Sequence, residues 1–468
     1  MSTEIVNREI YPDNTLVVVW MDNNNKRRRV SIIVIVLTTV LVLNLVGTSN
    51  FIPSSVSAQQ KKQVMLTAML TDLADPGRWK SLFQPAMQEL KARHPDINIQ
   101  INYTQYPYNT TRSQLLTALA SNTPVDLISV DQIWLGDFAE RGYLTDLTDR
   151  VQGWGRASDW YQANFDGGVY KGKVYGIWAW TDVRAIWYWK DLLNQARVDP
   201  NSLTTWDGYI KSIKKLNGTL KARGIEGANL PGLNYSPDIW YPYLWMLGGD
   251  ILVQKDGHPT KGTYWFPAYN SSAGVRAMDF IQRQVDAGIK PEKVNLDKKF
   301  ENRTNAVLLS GSWMPGEFNR QQWPGLKAKV GFIPMFPVPN EFTQNATMMG
   351  GWELSIPQTS KNKDLAWELI TLMLEPRILS PWLEQYGYLP TQKTIGEGPY
   401  SSSLNQTIPY YDKMVSMITI GRSRPNIPEY PLIADHVKQA IDEVYYGIKE
   451  PKQALDEAAA KSAKVLGW

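Results

Sequence analysis

The chain has 468 residues, 43% hydrophobic and 20% charged, with 49 basic and 45 acidic side chains and a net charge of +4. That is an ordinary globular composition, and the even charge balance gives no nucleic-acid footprint. Zero cysteines exclude disulfides, cysteine-based zinc or iron–sulfur sites, thiol catalysis and a lipid-modified cysteine, while three dispersed histidines (His94, His258, His436) leave little for a metal site or a histidine-dependent triad. No cofactor and no metal are expected. The anomaly is aromatic: 19 Trp and 23 Tyr stand against 11 Phe, and rings with a polar handle suit surfaces that are both apolar and hydrogen-bonding.

Residues 1–58 read as a signal peptide or membrane anchor. Lys26-Arg27-Arg28-Arg29 precedes an apolar core at 30–46 and the small-residue run Ser54-Ser55-Val56-Ser57-Ala58, which places a cleavage site after Ala58. Either outcome leaves the basic cluster in the cytoplasm and exports the rest, to the outer face of the cytoplasmic membrane. Met21 is an alternative start. Seven Asn-x-Ser/Thr sequons, at 102, 109, 217, 270, 302, 345 and 405, fit an exported chain.

The exported 410 residues suit two lobes of about 200. An apolar run at 64–70 is followed by Phe83, Met87 and Leu90 at helical spacing, then by the alternation of Ile97, Ile99, Ile101 and Tyr103. A helix around Leu115, Leu116 and Leu119, a strand at 125–130 and a helix at 132–141 ending at Gly142 complete the pattern. Strands separated by helices imply right-handed crossovers and a mainly parallel sheet in an α/β lobe. Ligands in such sheets sit beyond the carboxyl ends of strands, so the loops after Leu70 and Val130 matter most. Further helices are expected at 205–216, 238–247, 272–287 and 365–374, strands at 306–309, 329–334 and 352–357, and a mostly helical C-terminal third. No linker separates the lobes, which suggests a chain that crosses between them more than once.

Five blocks resemble the extracellular solute-binding proteins of ABC importers, in the family of maltose- and trehalose-type sugar receptors. They are 119–128 (LASNTPVDLI) with Asp131, Trp134, Phe138-Ala139 and Gly142; 172–177 (GKVYGI) with Thr181-Asp182-Val183-Arg184 and Lys190-Asp191-Leu192; Ser310-Gly311-Ser312-Trp313; Gly350-Gly351-Trp352; and 366–370 (AWELI) with Gly387-Tyr388-Leu389-Pro390. Trp178 departs from the family, which usually has proline there. The resemblance implies two α/β lobes joined by crossing hinge segments, lobe 1 at 59–181 and 328–378 and lobe 2 at 182–327 and 379–468, with a sugar enclosed between them. It also implies an ABC permease as partner, a monomer, and no enzymatic chemistry.

A sugar needs carboxylates for its hydroxyls and aromatic faces for its C–H patches. Asp131, just past the strand at 125–130, is either a hydroxyl acceptor or the N-cap of the following helix. By resemblance Trp180 stacks and Asp182 accepts, with an ion pair to Arg184 as the alternative for Asp182. Trp313 and Trp352, each following glycines (Gly311; Gly350-Gly351), are placed in the cleft, with core packing as the other reading. Trp240 or Tyr241 is available on a Trp/Tyr-rich helix that otherwise packs. Arg424 resembles a family arginine reaching the cleft, with Arg422 in competition. Asp72 and Asp75 follow the first strand, and Tyr410-Tyr411 reads as a helix face. The rival functions are a secreted carbohydrate-cleaving enzyme, for which no acid–nucleophile pair is marked, and a receptor for a glycerophosphodiester or polyamine.

Overall fold

A computed structural model describes residues 4–10, 16–21, 31–35, 61–72, 77–232, 236–318, 320–339, 342 and 344–468. They fall into two units, Met1–Gln60 and Lys61–Trp468. In the first, backbone strands Glu4–Ile10, Leu16–Met21 and Ser31–Ile35 form an antiparallel sheet in that order. The rest of the apolar core to residue 46 and the expected cleavage site after Ala58 lie outside the described residues, as does Asp75. No described helix is long and apolar enough to cross a membrane.

The second unit opens as strand β1 (Lys62–Thr71), helix α1 (Gly77–Arg93), β2 (Ile97–Tyr106), α2 (Tyr108–Ala120), β3 (Leu127–Asp131) and α3 (Gln132–Glu140). β1 pairs in parallel with both β2 and β3, as helical crossovers require. Gly142 adopts the left-handed conformation (φ 70°) that stops the chain after α3.

The next strand organises the rest. β4 (Ile177–Trp189) has thirteen residues, of which all but Asp182 and Tyr188 are buried. At about 3.3 Å per residue it reaches some 40 Å, long enough to serve both halves of the unit. Helices α4 (Trp206–Leu220), α5 (Ser236–Met246) and α6 (Ser272–Asp286) precede β5 (Val307–Gly311), β6 (Val330–Ile333) and β7 (Thr347–Ser355). β7 runs antiparallel to the first half of β4 and, on its other side, to β3. β5 and β6 flank the second half of β4, both antiparallel. The sheet is therefore mixed: parallel crossovers build its first edge, and strands passing between halves run back against β4.

Helices α7 (Lys363–Met373) and α8 (Pro376–Tyr386) pack on α1, whereas α9 (Tyr430–Tyr445) and α10 (Pro451–Val465) pack on α6. Two elements lie on or beside the lobe boundaries expected from sequence. The 378/379 division falls inside α8, whose buried Leu379, Trp382 and Leu383 face the first half, and the helix ends only at left-handed Gly387. β6, expected in the first half, pairs with residues 186–189 of β4 in the second.

Candidate ligand-binding site

Strand register assembles the site. Trp352 on β7 lies opposite Asp131 on β3 and opposite Trp180 on β4, and Gly350 lies opposite Asp182. Residues far apart in sequence thus form one row on one face of the sheet. They line a cleft of about 230 Å³ with Thr71 and Asp72 from the end of β1, Arg78 from α1, Tyr108 from α2 and Asp238 from α5. Arg184, Trp313, Glu317, Tyr388 and Arg424 complete the walls.

Most of the residues expected from sequence meet here: Asp131, Trp180, Asp182, Trp313, Gly351, Trp352 and Arg424 all line the cleft. Trp240 does not. It is fully buried, its ring centroid 5.8 Å from that of Tyr241, because the helix face following Asp238 turns into the core. Arg422 is also elsewhere, paired with Asp250 at 2.6 Å and lying over the Trp245 ring. Tyr411 is buried, and Tyr410 donates to the Val330 carbonyl at 2.6 Å.

The N-cap reading of Asp131 is realised, in a side chain that also lines the cleft. Its Oδ1 accepts from the Ile133 amide at 3.4 Å, capping α3, and from Arg424 Nη2 at 3.1 Å; its Oδ2 accepts from the Tyr108 hydroxyl at 2.9 Å. Burial pushes the Asp131 carboxyl up, against the pull of Arg424. Burial beside Asp131 holds the Tyr108 hydroxyl well above its ordinary value.

Arg424 also donates to Asp238 at 3.4 Å, and Arg184 reaches Asp238 at 3.7 Å while bonding Asp182. An alternating ladder results, Asp131–Arg424–Asp238–Arg184–Asp182, running from β3 through the C-terminal segment and α5 to β4. Arg424 and Asp131 keep only 7% and 8% of their side chains exposed, so this is a buried network. Asp182 retains 19%, which leaves it the more accessible acceptor.

The paired glycines line the cleft and also pack closely on β4. A Cβ on Gly351 would fall 2.5 Å from the Trp180 carbonyl oxygen, and one on Gly350 3.1 Å from the Asp182 carboxylate. They permit β7 to approach β4. Trp313 lies over Gly311, where a Cβ would meet its ring at 2.0 Å, and its Nε1 donates to Asp297 at 2.8 Å. Trp180 is 3% exposed and surrounded by Trp79, Trp382 and Tyr388, with centroids at 5.4, 5.0 and 5.8 Å. Trp313, Trp352 and Tyr388 are only partly buried and supply the aromatic surface.

Asp238, Arg184, Tyr108 and Tyr388 extend the expected set. Asp238 stands in the first turn of α5, where a carboxylate is favoured by the helix dipole. Its position at a helix start was the available signal. Among the described residues no cluster of three or more histidine, aspartate or glutamate side chains is placed to hold a metal ion.

Behind the cleft floor, Glu353 is wholly buried and accepts from Trp178 Nε1, while its Oε2 has no partner. Burial raises its carboxyl well above the ordinary value of 4.5. A native acid with a raised pKa binds its proton more tightly than the unfolded chain does, so stability falls as pH climbs above about 4.5. Glu353→Gln removes that dependence. The melting temperature of the variant relative to wild type is expected to rise between pH 4.5 and pH 8; a constant difference would show Glu353 to be no more perturbed than in the unfolded chain.

A mixed sheet with a long shared strand, and a charged, aromatic cleft on that strand, define a two-lobed α/β binding protein. The chain belongs to the bacterial extracellular solute-binding protein family, whose model matches residues 74–378. It is similar to a binding protein of Brucella abortus (strain 2308), 25% identical over 398 residues, covering 82% of this chain and 89% of the relative. An arabinooligosaccharide-binding protein of Bacillus subtilis (strain 168) is 21% identical over 406 residues, with coverage of 82% and 89%. Among solved structures, an ABC transporter solute-binding protein from Thermotoga lettingae TMO, bound with alpha-D-tagatose, superposes with a TM-score of 0.73 at 22% identity, covering 87% of this chain and all of that one.

Proposed function

We propose that this chain is the extracellular receptor of an ABC importer and that it holds a sugar or short oligosaccharide in the cleft on β4, without altering it, for delivery to a membrane permease. In this reading the first half (through the start of β4, with β7, α7 and α8) and the second half (α4 to α6, β5, β6, α9 and α10) are the lobes that close on the ligand. The hydrophobic segment near the N-terminus exports it.

The carrying observation is the composition of the cleft walls. Five carboxylates (Asp72, Asp131, Asp182, Asp238, Glu317) and three guanidinium groups face the same space as Trp313, Trp352 and Tyr388. Hydroxyls can donate to the carboxylates and accept from the arginines, and ring C–H faces can lie on the indoles. The acidic excess works against a free phosphate, because Arg184 and Arg424 are already neutralised by carboxylates. The arabinooligosaccharide-binding relative and the tagatose-bound solute-binding protein support the same class.

The test is a thermal shift screen with mono- and disaccharides, short oligosaccharides, polyols, phosphodiesters and polyamines. A ligand at about 100 times its Kd adds about 2.7 kcal/mol of stability. Stabilisation by sugars with the sugar recovered intact is the expected result. Stabilisation only by polyamines or phosphodiesters, or release of cleaved sugar, would overturn it.

A further inference from the structure

A second cavity, also of about 230 Å³, lies beside the cleft and shares two of its wall residues, Arg184 and Trp313. Its character is different. Pro231, Ile239, Val294, Leu296 and Leu309 line it, with polar groups confined to Arg184, Asn295, Asp297 and Ser310. Asp297 is not free to greet a polar ligand: its Oδ1 accepts from Ser310 at 2.6 Å and its Oδ2 from Trp313 at 2.8 Å. Val294 is 46% exposed, an apolar side chain held in water.

Arg184 and Trp313 face both spaces. The Arg184 guanidinium lies 4.5 Å from the Trp313 ring centroid and is tethered to Asp182 and Asp238. The indole is fixed from behind by Asp297. A ligand group seated against the Trp313–Arg184 pair is therefore adjacent to the apolar chamber.

We infer that this chamber is a specificity subsite for an apolar extension of the cleft ligand, such as an aryl or alkyl aglycone, so that the solute is a glycoside with one hydroxylated and one apolar end. The inference rests on the sugar-receptor reading above. It commits to a single molecule because the two spaces share their wall. The chamber itself offers too few unengaged polar groups to orient a separate hydroxylated solute.

The test compares free glucose, galactose, xylose, arabinose and N-acetylglucosamine with their methyl and phenyl glycosides by titration calorimetry on the Lys61–Trp468 unit carried in the full chain. For the sugar that binds, the phenyl glycoside is expected to bind at least about tenfold tighter than the methyl glycoside, in line with the worth of added apolar groups in a hydrophobic pocket. Leu309→Phe, which fills the chamber, and Val294→Glu, a substitution at its exposed rim that leaves the fold intact, each abolish that gain while the free sugar binds as before. Equal affinity for methyl and phenyl glycosides, with the free sugar binding, would overturn the subsite and leave the receptor reading standing. Failure of every sugar and glycoside here to bind would overturn the subsite, and failure of the oligosaccharides of the thermal shift screen as well would overturn both.

Discussion

Replacing Arg424 with methionine is expected to cost about 3–5 kcal/mol of folding stability, the largest effect of any single substitution in the cleft. The guanidinium stands between Asp131 at 3.1 Å and Asp238 at 3.4 Å, 7% exposed, and its removal leaves two carboxylates in a poorly solvated place. An uncompensated buried charge costs more than the intact pair contributes. Tyr108 still donates to Asp131, and Arg184 still reaches Asp238 at 3.7 Å, so the loss is bounded. Removing all three charges together, Asp131→Asn with Asp238→Asn and Arg424→Met, is expected to recover most of it. Urea unfolding reads both results. A loss below about 1 kcal/mol in the single variant would show that the ladder is solvated and that Asp131 and Asp238 tolerate each other unaided.

The second large effect is on binding. Trp313→Ala and Trp352→Ala are each expected to weaken the sugar by about 30-fold or more, equivalent to about 2 kcal/mol, the scale on which buried aromatic anchors act. Cooperative melting is retained in both, because each ring is only half buried. Trp352 meets Tyr108 and Trp134 edge-on, at 6.0 and 5.8 Å, and loses packing as well as a ligand face. Its variant is the less stable of the two. If both variants bind like the wild type, the aromatic walls do not hold the ligand.

The first lobe was legible because its pattern is local. Each strand from β1 to β3 is a short run bounded by a periodic helix, and Gly142 marks where α3 stops. The second half was harder, since β4 carries Thr181, Asp182 and Arg184 in the middle of its apolar residues and its role depends on partners more than a hundred residues away. Its pairing with β5 and β6 leaves no trace in its own sequence.

The site divides in the same way. Asp131 was picked out by its place at the end of one strand, and Asp182 by the family resemblance of its segment. The register that sets Trp352 between Asp131 and Trp180 could not be picked out, because it follows from a three-strand alignment. Trp240 shows the converse. An aromatic-rich helix start suggested an available indole, but the side chain that reaches the cleft is Asp238, two residues earlier and nearer the helix N-terminus. The paired glycines pointed to the strand that lines the cleft, and there they also make room for strand packing and for the Asp182 carboxylate. For Asp182 the sequence offered a ligand contact or an ion pair with Arg184, and the geometry leaves it partly open while bound to Arg184.

The most direct test is a crystal structure of the protein with the sugar that gives the largest thermal shift. The sugar is expected intact in the cleft on β4, its ring against Trp352 or Trp313 and its hydroxyls within hydrogen-bonding distance of Asp131 or Asp182. A sugar bound elsewhere, or found hydrolysed between those carboxylates, would contradict a receptor that encloses its solute there unchanged.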